Sequence, residues 1–487
     1  MNHGIVRLIC FRIIQLMGII LLLPILVALW YREWTVLPVF VIEGALCAGI
    51  GTVGTHCSKK VSKVFYAREG FVVTAVAWIL ISLLMAIPFR LTGVCDTYVD
   101  ALFETVSGLT TTGATILRHV DGMYYSVQFL RTFSHWIGGM GVLVFIMAVL
   151  PMAGGYGMHL MRAESPGPSV GKFVPKVKDT SRILYGIYLV FTVTETIALL
   201  CTGRTFYEAL TLTFSTVGTG GFGLTDAGIG GYNYGTQVVI TVFMILCGIN
   251  FGIYYLFITK RPGEALKSEE LRWYLGIMLV SSVTMTILCI RPGGAFVGHP
   301  GEAFHHSLFN VASVMTTTGF ATLDYNGWPE LARTIFTILT FLGACAGSTG
   351  GGFKLSRLVI LLKVVHNEVV FLVHPTSVRK VSMDGHMVEG KTVKSVCAYL
   401  ALYVMVFLVS WLLVSVDGFD TATNLTAVAA TLNNVGPGLN MVGPAGNYAD
   451  YSNFSKIVLM VDMLAGRLEL LPVLILMSPR TVRRGRF

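Results

Sequence analysis

The chain has 487 residues, of which 54% are hydrophobic and only 13% are charged. A typical soluble domain carries roughly 25% charged residues, so the composition excludes an ordinary water-soluble protein and indicates one that lies in a lipid bilayer. The net charge of +9 is divided among short loops. This distribution argues against a nucleic-acid-binding surface, and no nucleic-acid partner is expected.

Apolar runs close to the ~20 residues needed to cross a bilayer recur along the chain. They predict ten spanning helices, at residues 5–30, 36–57, 71–91, 126–150, 183–201, 236–258, 273–290, 331–365, 393–416 and 457–477. The first run is too long for a signal-peptide core and lacks a convincing cleavage site, so we expect it to be retained. The nine cysteines stand singly, with no spacing typical of a zinc site or a disulfide framework.

Lysine and arginine are concentrated in alternate loops. They follow the second, fourth, sixth and eighth predicted spans, and they also occur at both ends of the chain. Because an excess of these residues in short loops marks the cytoplasmic side of a membrane, both termini are predicted to be cytoplasmic. An even number of crossings requires the same arrangement.

Four polar, glycine-rich segments interrupt the apolar runs, at residues 107–115, 215–223, 313–322 and 430–439. They align on glycines about a hundred residues apart, which indicates an internal repeat. The aligned glycines are Gly113, Gly221, Gly319 and Gly436. A leucine stands eleven residues before each glycine and a small residue stands six before it. The residues two before are Thr111, Thr219, Thr317 and Asn434.

Each repeat is interpreted as a spanning helix, a short apolar segment, a loop and a second spanning helix. The short segments cannot cross a bilayer, so they are interpreted as re-entrant half-helices. Their loops must be buried in protein or line water. The predicted fold is an all-α integral membrane protein of about ten transmembrane helices. It contains an N-terminal helix pair (1–67) and four tandem helix–pore loop–helix repeats around a pseudo-fourfold pore, at 68–165, 166–262, 263–385 and 386–487.

Threonine and glycine in these loops suit a filter for a dehydrated monovalent cation. Backbone carbonyl groups can replace the water around the ion, and glycine lets the backbone approach closely. The four segments contain no carboxylate, which argues against a divalent-cation site. The candidate filter residues are Thr110, Thr111, Thr112, Gly113, Gly218, Thr219, Gly220, Gly221, Thr316, Thr317, Thr318, Gly319, Asn433, Asn434, Val435 and Gly436.

Several stretches resemble the Trk/Ktr/HKT superfamily, and within it the TrkH-type potassium uptake proteins. They are TTTGAT at 110–115, HWIGGMGVLV at 135–144, FSTVGTGGF at 214–222, TTTGFAT at 316–322, GSTGGGFK at 347–354 and LNNVGPGL at 432–439. The resemblance implies K⁺ as the transported ion, and glycine rather than serine at Gly113 favours K⁺ over Na⁺. The expected K⁺ ligands are Thr111, Thr112, Gly220, Thr317, Thr318, Asn434 and Val435.

The same resemblance implies a homodimer in the bacterial inner membrane. It also implies a cytoplasmic regulatory subunit of the TrkA type that binds NAD or ATP, with no cofactor bound by this chain. Two loops depart from the threonine-rich pattern, the second through Gly218 and Gly220 and the fourth through Asn434. The filter is therefore expected to be only approximately symmetric.

Residues 343–352 interrupt an apolar run with glycines, each of which costs about 1 kcal/mol relative to alanine inside a helix. The segment is either a kink that permits close helix packing or, as the resemblance implies, an intramembrane gate below the filter. The candidate gate residues are Gly347, Ser348, Thr349, Gly350, Gly351 and Gly352, together with Arg467. A cation in the last span costs at least ~2.5 kcal/mol. Arg467 is therefore either paired with Asp462 or Glu469 or, as in the resembling family, an electrostatic barrier in the pore.

Three classes of function are considered for this chain: a K⁺ pathway, a secondary transporter and a membrane enzyme. A K⁺ pathway through a carbonyl filter fits four similar loops, whereas a secondary transporter with alternating access typically shows two halves. Ion-coupled K⁺ symport through the same filter remains open. An enzyme is not expected, because the sequence has no Walker-type or HExxH motif. Nucleotide control would then come from a partner, for which residues 162–182 and 363–394 are the expected docking surface.

Overall fold

The structure is a computed structural model that describes residues 3–58, 67–141, 177–377 and 379–470. Three helices precede the repeats: α1 (His3–Ile20), α2 (Leu22–Trp30) and α3 (Leu37–Cys57). The first repeat contains α4 (Ala67–Leu91), α5 (Tyr98–Leu109) and α6 (Tyr125–Gly139). The second contains α7 (Val177–Cys201), α8 (Phe206–Val217), α9 (Tyr234–Cys247) and α10 (Phe251–Ile258).

A short helix, α11 (Pro262–Leu266), leads into the third repeat. This repeat contains α12 (Glu269–Ile290), α13 (Pro300–Met315), α14 (Glu330–Phe341) and α15 (Leu355–Val373). An antiparallel hairpin of β1 (Ser382–Met383) and β2 (His386–Met387) follows. The fourth repeat contains α16 (Gly390–Val414), α17 (Thr421–Leu432) and α18 (Asn453–Arg467). The architecture confirms the all-α prediction.

Six helices of the described residues are long and apolar enough to cross a membrane. The count becomes seven if α9 and α10 together form one bent span. The predicted spans at 126–150 and 457–477 extend outside the described residues. The total of ten crossings therefore stays a prediction.

The predicted span at 236–258 is not one straight helix, because α9 and α10 meet at an angle of 88°. The break falls at Gly248 and Asn250, and the Asn250 side chain accepts a hydrogen bond of 2.7 Å from the backbone N–H of Gly252. A side chain on Gly248 would come within 2.4 Å of the Tyr274 hydroxyl. An amide cap and a close contact therefore set the bend inside a run that is mostly apolar.

The four helices α5, α8, α13 and α17 occupy the predicted half-helix positions, and we call them the pore helices. They have 12 to 16 residues, too few to cross a bilayer. Three begin at a side-chain cap, provided by Thr97, Thr205 or Asp420, and α13 begins with Pro300. Capping satisfies backbone N–H groups that a helix start leaves unpaired. The pore helices are therefore defined by local signals at their starts.

Two large apolar clusters support the pore helices. One joins the N-terminal helices to the first and fourth repeats, and Trp78 and Tyr448 are among its fully buried side chains. The other joins the second and third repeats and includes Tyr274 and Phe309. Each pair of repeats thus shares one core, and the polar pore loops lie where the repeats meet.

Candidate ion pathway

All four pore helices end in the same turn. The residue two before each aligned glycine has a left-handed backbone, with φ of 54° at Thr111, 53° at Thr219, 58° at Thr317 and 55° at Asn434. The N–H group of this residue donates to the carbonyl oxygen three residues earlier, at 2.9 to 3.2 Å. The N–H group of the next residue donates to the carbonyl oxygen five residues before it, at 2.8 to 2.9 Å. These two bonds define a Schellman motif, in which glycine usually takes the left-handed position. Three of the four loops instead have threonine at this position, which is unusual because β-branched residues rarely adopt a left-handed backbone.

The aligned glycines are also left-handed, with φ of 77°, 78°, 83° and 97° at Gly113, Gly221, Gly319 and Gly436. Glycine adopts left-handed backbone without the steric cost that other residues incur. Each loop thus leaves its pore helix with the same backbone geometry. The internal repeat that the sequence predicts is therefore present as a structural repeat.

The four loops form a closed ring. A Cβ built on Gly113 would lie 2.1 Å from the carbonyl oxygen of Gly220 in the second loop. The same construction brings Gly221 to 2.0 Å from the oxygen of Thr318 and Gly319 to 2.1 Å from that of Val435. Gly436 closes the circle at 2.5 Å from the oxygen of Thr112. Each glycine therefore leaves room for the carbonyl group of the next loop.

Side chains around the ring break its symmetry. Hydroxyl pairs 2.8 Å apart join Thr110 to Thr112 and Thr316 to Thr318, whereas the second loop has glycine at both corresponding positions. In the fourth loop the Nδ2 of Asn434 donates to the Thr112 hydroxyl and to the carbonyl oxygen of Met463, both at 2.9 Å. Asn434 therefore joins the last loop to the first.

A buried ion pair supports the first two loops from behind. The Nε of Arg131 lies 2.6 Å from the Glu104 carboxylate, and the two side chains are 2% and 0% exposed. Arg131 also donates to the carbonyl oxygen of Gly223 at 3.0 Å, and Glu104 accepts from the Thr115 hydroxyl. The pair therefore holds the segments that leave both loops.

His135 joins the same two loops through its ring. Its Nδ1 lies 2.7 Å from the carbonyl oxygen of Gly108, and its Nε2 accepts a hydrogen bond of 3.3 Å from the N–H of Phe222. A neutral imidazole with the proton on Nδ1 satisfies both contacts. His135 thus packs as a structural residue between the loops.

A cavity of about 350 Å³ opens on one side of the ring. Its lining includes all four aligned glycines and the residues that follow them, with Asp226 and Asp324 among its side chains. On the opposite side lies the segment 343–352, which we call the gate loop. A Cβ on Gly350 would lie 2.9 Å from the carbonyl oxygen of Thr316, and one on Gly351 would lie 2.9 Å from that of Asn433. The ring thus lies between an open cavity and the gate loop.

The gate loop is held by hydrogen bonds from several elements. The Thr317 hydroxyl accepts from the N–H of Gly351 at 2.7 Å. At the bend between α9 and α10, Gly248 accepts from the N–H of Cys345 at 3.1 Å. Phe251 donates to the carbonyl oxygen of Gly347 at 3.0 Å. The loop therefore contacts both the third pore loop and the broken helix.

Arg467, at the end of α18, reaches the gate loop. It donates to the carbonyl oxygen of Thr349 at 2.8 Å and to that of Gly139 at 2.7 Å, and it also contacts the oxygen of Gly138. Glu469, one of the two expected partners, instead lies 2.6 Å from Arg357. Asp462, the other, accepts from the Ser410 hydroxyl at 2.6 Å. Arg467 thus donates hydrogen bonds to carbonyl groups of both α6 and the gate loop.

The structure brings the predicted filter residues together in one ring and places the predicted gate residues beneath it. It adds Lys354, which is 1% exposed and whose Nζ donates to the carbonyl oxygen of Gly350. It also adds Glu104 with Arg131. A lysine two residues after a glycine-rich segment is the sequence signal for Lys354. Glu104 and Arg131 lie in separate helices, and no sequence signal pairs them.

The fold and the ring together define an all-helical membrane protein with four re-entrant pore helices. A family model described as "TrkH: Cation transport protein" matches residues 36–482. The Trk system potassium uptake protein TrkH of Vibrio parahaemolyticus is 33% identical, over 96% of both chains. The TrkG protein of Escherichia coli is 33% identical over 98% of this chain and 99% of its own.

The crystal structure of the potassium transporter TrkH from Vibrio parahaemolyticus superimposes with a TM-score of 0.87. It is 30% identical in sequence and covers 99% of each chain. The chain belongs to the TrkH family of cation transport proteins. This is a family of transporters, so the prediction that the chain is not an enzyme is confirmed.

Proposed function

We propose that this chain carries K⁺ into a bacterial cell across the inner membrane, with both termini in the cytoplasm. The observation that supports this most strongly is the closed ring of four pore loops, in which each aligned glycine accommodates a carbonyl group of the next loop. Carbonyl oxygens arranged around a narrow path can replace the hydration shell of K⁺. Relatives that match nearly the whole chain are named potassium uptake proteins.

The proposed K⁺ ligands are oxygens of residues next to the ring. They are Thr111, Thr112, Gly220, Thr317, Thr318, Asn434 and Val435. All but Gly220 and Val435 carry a polar side chain, and the carbonyl oxygens of Thr112, Gly220, Thr318 and Val435 are the ones nearest the neighbouring glycines. Uncharged ligands suit a monovalent cation, because binding must be weak enough for the ion to leave.

The gate loop is the proposed barrier to flow. It lies against the filter, where Arg467 places a cationic guanidinium group and Lys354 an amino group beside its carbonyl groups. A positive charge in a region of low dielectric repels a passing cation strongly. Opening would require the loop to withdraw from Thr317 and Arg467, and its glycines make a second conformation accessible.

The relatives are named as parts of a Trk system, and we propose that this chain likewise works with a second component. The proposed assembly is a homodimer with a TrkA-like cytoplasmic subunit that binds NAD or ATP. Residues 363–394, which include the end of α15 and the hairpin, are the proposed docking surface. The other predicted surface, 162–182, lies mostly outside the described residues.

Uptake of Rb⁺ by bacteria that lack their own K⁺ uptake systems tests this proposal. Cells that express the chain should accumulate Rb⁺, and external K⁺ should compete far better than Na⁺. Removal of the endogenous regulatory subunit should reduce uptake. Equal competition by K⁺ and Na⁺ would contradict the K⁺ filter, and uptake that is indifferent to the regulatory subunit would contradict the proposed partner.

A further inference from the structure

Glu270 holds both ends of the gate region with a single oxygen atom. Its Oε1 accepts a hydrogen bond of 2.8 Å from the N–H of Ala346, inside the gate loop. The same atom accepts one of 3.0 Å from the N–H of Ser356, just after the loop. Glu270 is the second residue of α12 and is 5% exposed. One side chain therefore bridges the entry to the loop and its exit.

A buried carboxyl group is costly unless its oxygens are hydrogen-bonded. Ala346 lies in the gate loop and Ser356 lies in the first turn of α15, where backbone N–H groups have no partner within the helix. The side chain therefore also satisfies two donors that the backbone leaves unpaired. Both hydrogen bonds can form only while the loop keeps Ala346 and Ser356 close together. Movement of Ala346 away from Ser356 would break at least one of the two bonds.

The adjacent residue connects the same helix start to the cytoplasmic hairpin. The N–H of Glu269 donates a hydrogen bond of 2.7 Å to the Asp384 carboxylate, at the tip between β1 and β2. Lys363 contacts the Glu269 carboxylate and donates to the carbonyl oxygen of Ser382 at 2.6 Å. Consecutive residues of α12 thus contact the hairpin on one side and the gate loop on the other.

We propose that Glu270 is a positioning residue that clamps the gate loop in its blocking position, and that displacement of the hairpin at Asp384 loosens this clamp. The inference rests on the gating role proposed above. It names the route by which a cytoplasmic partner seated on the hairpin acts on the loop.

The first test compares K⁺ flux into proteoliposomes that contain the chain alone. Glu270→Ala removes the clamp and raises flux about tenfold, whereas Glu270→Gln keeps an Oε1 acceptor and stays near wild type. Glu264→Ala is the matched control, because that glutamate is exposed and pairs with Arg261 in the preceding loop. The ratio of K⁺ to Na⁺ flux should not change in any variant. Wild-type flux in Glu270→Ala, or equal effects of alanine and glutamine, would overturn the proposal.

Cys345 provides a second readout that does not depend on conduction. Its thiol lies in the gate loop and is 0% exposed, so alkylation in wild type should be slow. Glu270→Ala should accelerate alkylation at Cys345 several-fold, measured on peptides by mass spectrometry, while the buried Cys95 and Cys289 stay protected. Acceleration at all three cysteines would mean general unfolding and would overturn the clamp. If wild type conducts without selectivity, the proposed filter fails, but the alkylation result still decides the clamp.

A double-mutant cycle tests the connection to the hairpin. Asp384→Ala alone should raise flux about threefold, and it should add nothing in the Glu270→Ala background, because both act on one clamp. Independent, multiplying effects would show that the hairpin does not act through Glu270.

Discussion

The guanidinium group of Arg467 donates a hydrogen bond of 2.8 Å to the carbonyl oxygen of Thr349, so a cationic side chain of the last described helix directly contacts the gate loop. The contact combines two effects, a tether on the loop and a positive charge in the path proposed for K⁺. Substitutions can separate them. Arg467→Gln removes the charge but keeps hydrogen-bond donors, whereas Arg467→Lys keeps the charge.

If the charge is the barrier, Arg467→Gln should raise K⁺ flux in proteoliposomes several-fold, and Arg467→Lys should stay close to wild type. The physical reason is that repulsion between like charges is strong where water is excluded. Equal increases in the two variants would mean that the hydrogen bonds of the guanidinium group, rather than its charge, hold the pathway closed.

Asn434 is expected to stabilise the ring through its side-chain amide. Asn434→Thr introduces the residue found at the corresponding position of the other three loops, so the left-handed backbone is tolerated. It removes the hydrogen bonds to Thr112 and Met463. The free energy of unfolding should fall by roughly 1–3 kcal/mol, the cost of leaving buried groups unpaired. Thermal unfolding in detergent measures this change, and an unaltered midpoint would contradict the role of the amide.

The pair of Glu104 and Arg131 should be a major stabilising contact behind the first two loops. Because loss of one partner leaves the other charge buried, Glu104→Ala should cost about 3–5 kcal/mol. Arg118→Ala is the control, since Arg118 and Asp450 form an exposed pair worth only ~0–1 kcal/mol. Thermal unfolding of both variants gives the comparison. Similar small losses would show that the buried pair has no special role.

Asp226, which lines the cavity beside the ring, gives a testable pH dependence. A hydrogen bond from the N–H of Val120 is the main reason why the pKa of Asp226 lies below its ordinary value of 3.8. A lowered pKa means that the ionised carboxylate stabilises the folded state above that value and loses this effect as the pH falls through the lowered pKa.

Asp226→Asn should therefore lower the unfolding temperature at neutral pH, and the difference from wild type should shrink on acidification below 3.8. Asp96→Asn, at an exposed aspartate, is the matched control. A difference that persists unchanged in acid would show that the ionised form of Asp226 does not account for the effect.

The sequence predicts the pore helices and the ring well, because four aligned copies mark the same positions. It does not show the Schellman geometry at Thr111, since threonine is an unusual residue for a left-handed position. The bend at Gly248 lies in a mostly apolar run that has two glycines, Gly248 and Gly252, but no proline, so the sequence predicts one straight span. Glu104 lies in the middle of its pore helix and pairs with Arg131 of the next helix, a contact that no sequence pattern indicates.

In the gate region, too, the sequence shows the residues but not the contacts between them. Its glycines are visible in the sequence, but Glu270 stands at the start of an apolar helix, where acidic residues are common for local reasons. Its contacts with Ala346 and Ser356 join positions more than seventy residues apart in the chain. Such a relation depends on how α12 packs against the loop, which periodicity and composition do not encode.

If the aligned glycines form a K⁺-selective ring, cation flux into proteoliposomes should depend on them. Wild type and Gly113→Ser are compared for K⁺, Rb⁺, Na⁺ and Li⁺, with Gly122→Ala as control, because Gly122 has a similar φ of 79° but no atom within 4 Å of a built Cβ. Flux of K⁺ and Rb⁺ should be well above that of Na⁺ and Li⁺, and this selectivity should be lost in Gly113→Ser and kept in Gly122→Ala. Equal flux of all four cations in wild type, or unchanged selectivity in Gly113→Ser, would contradict it.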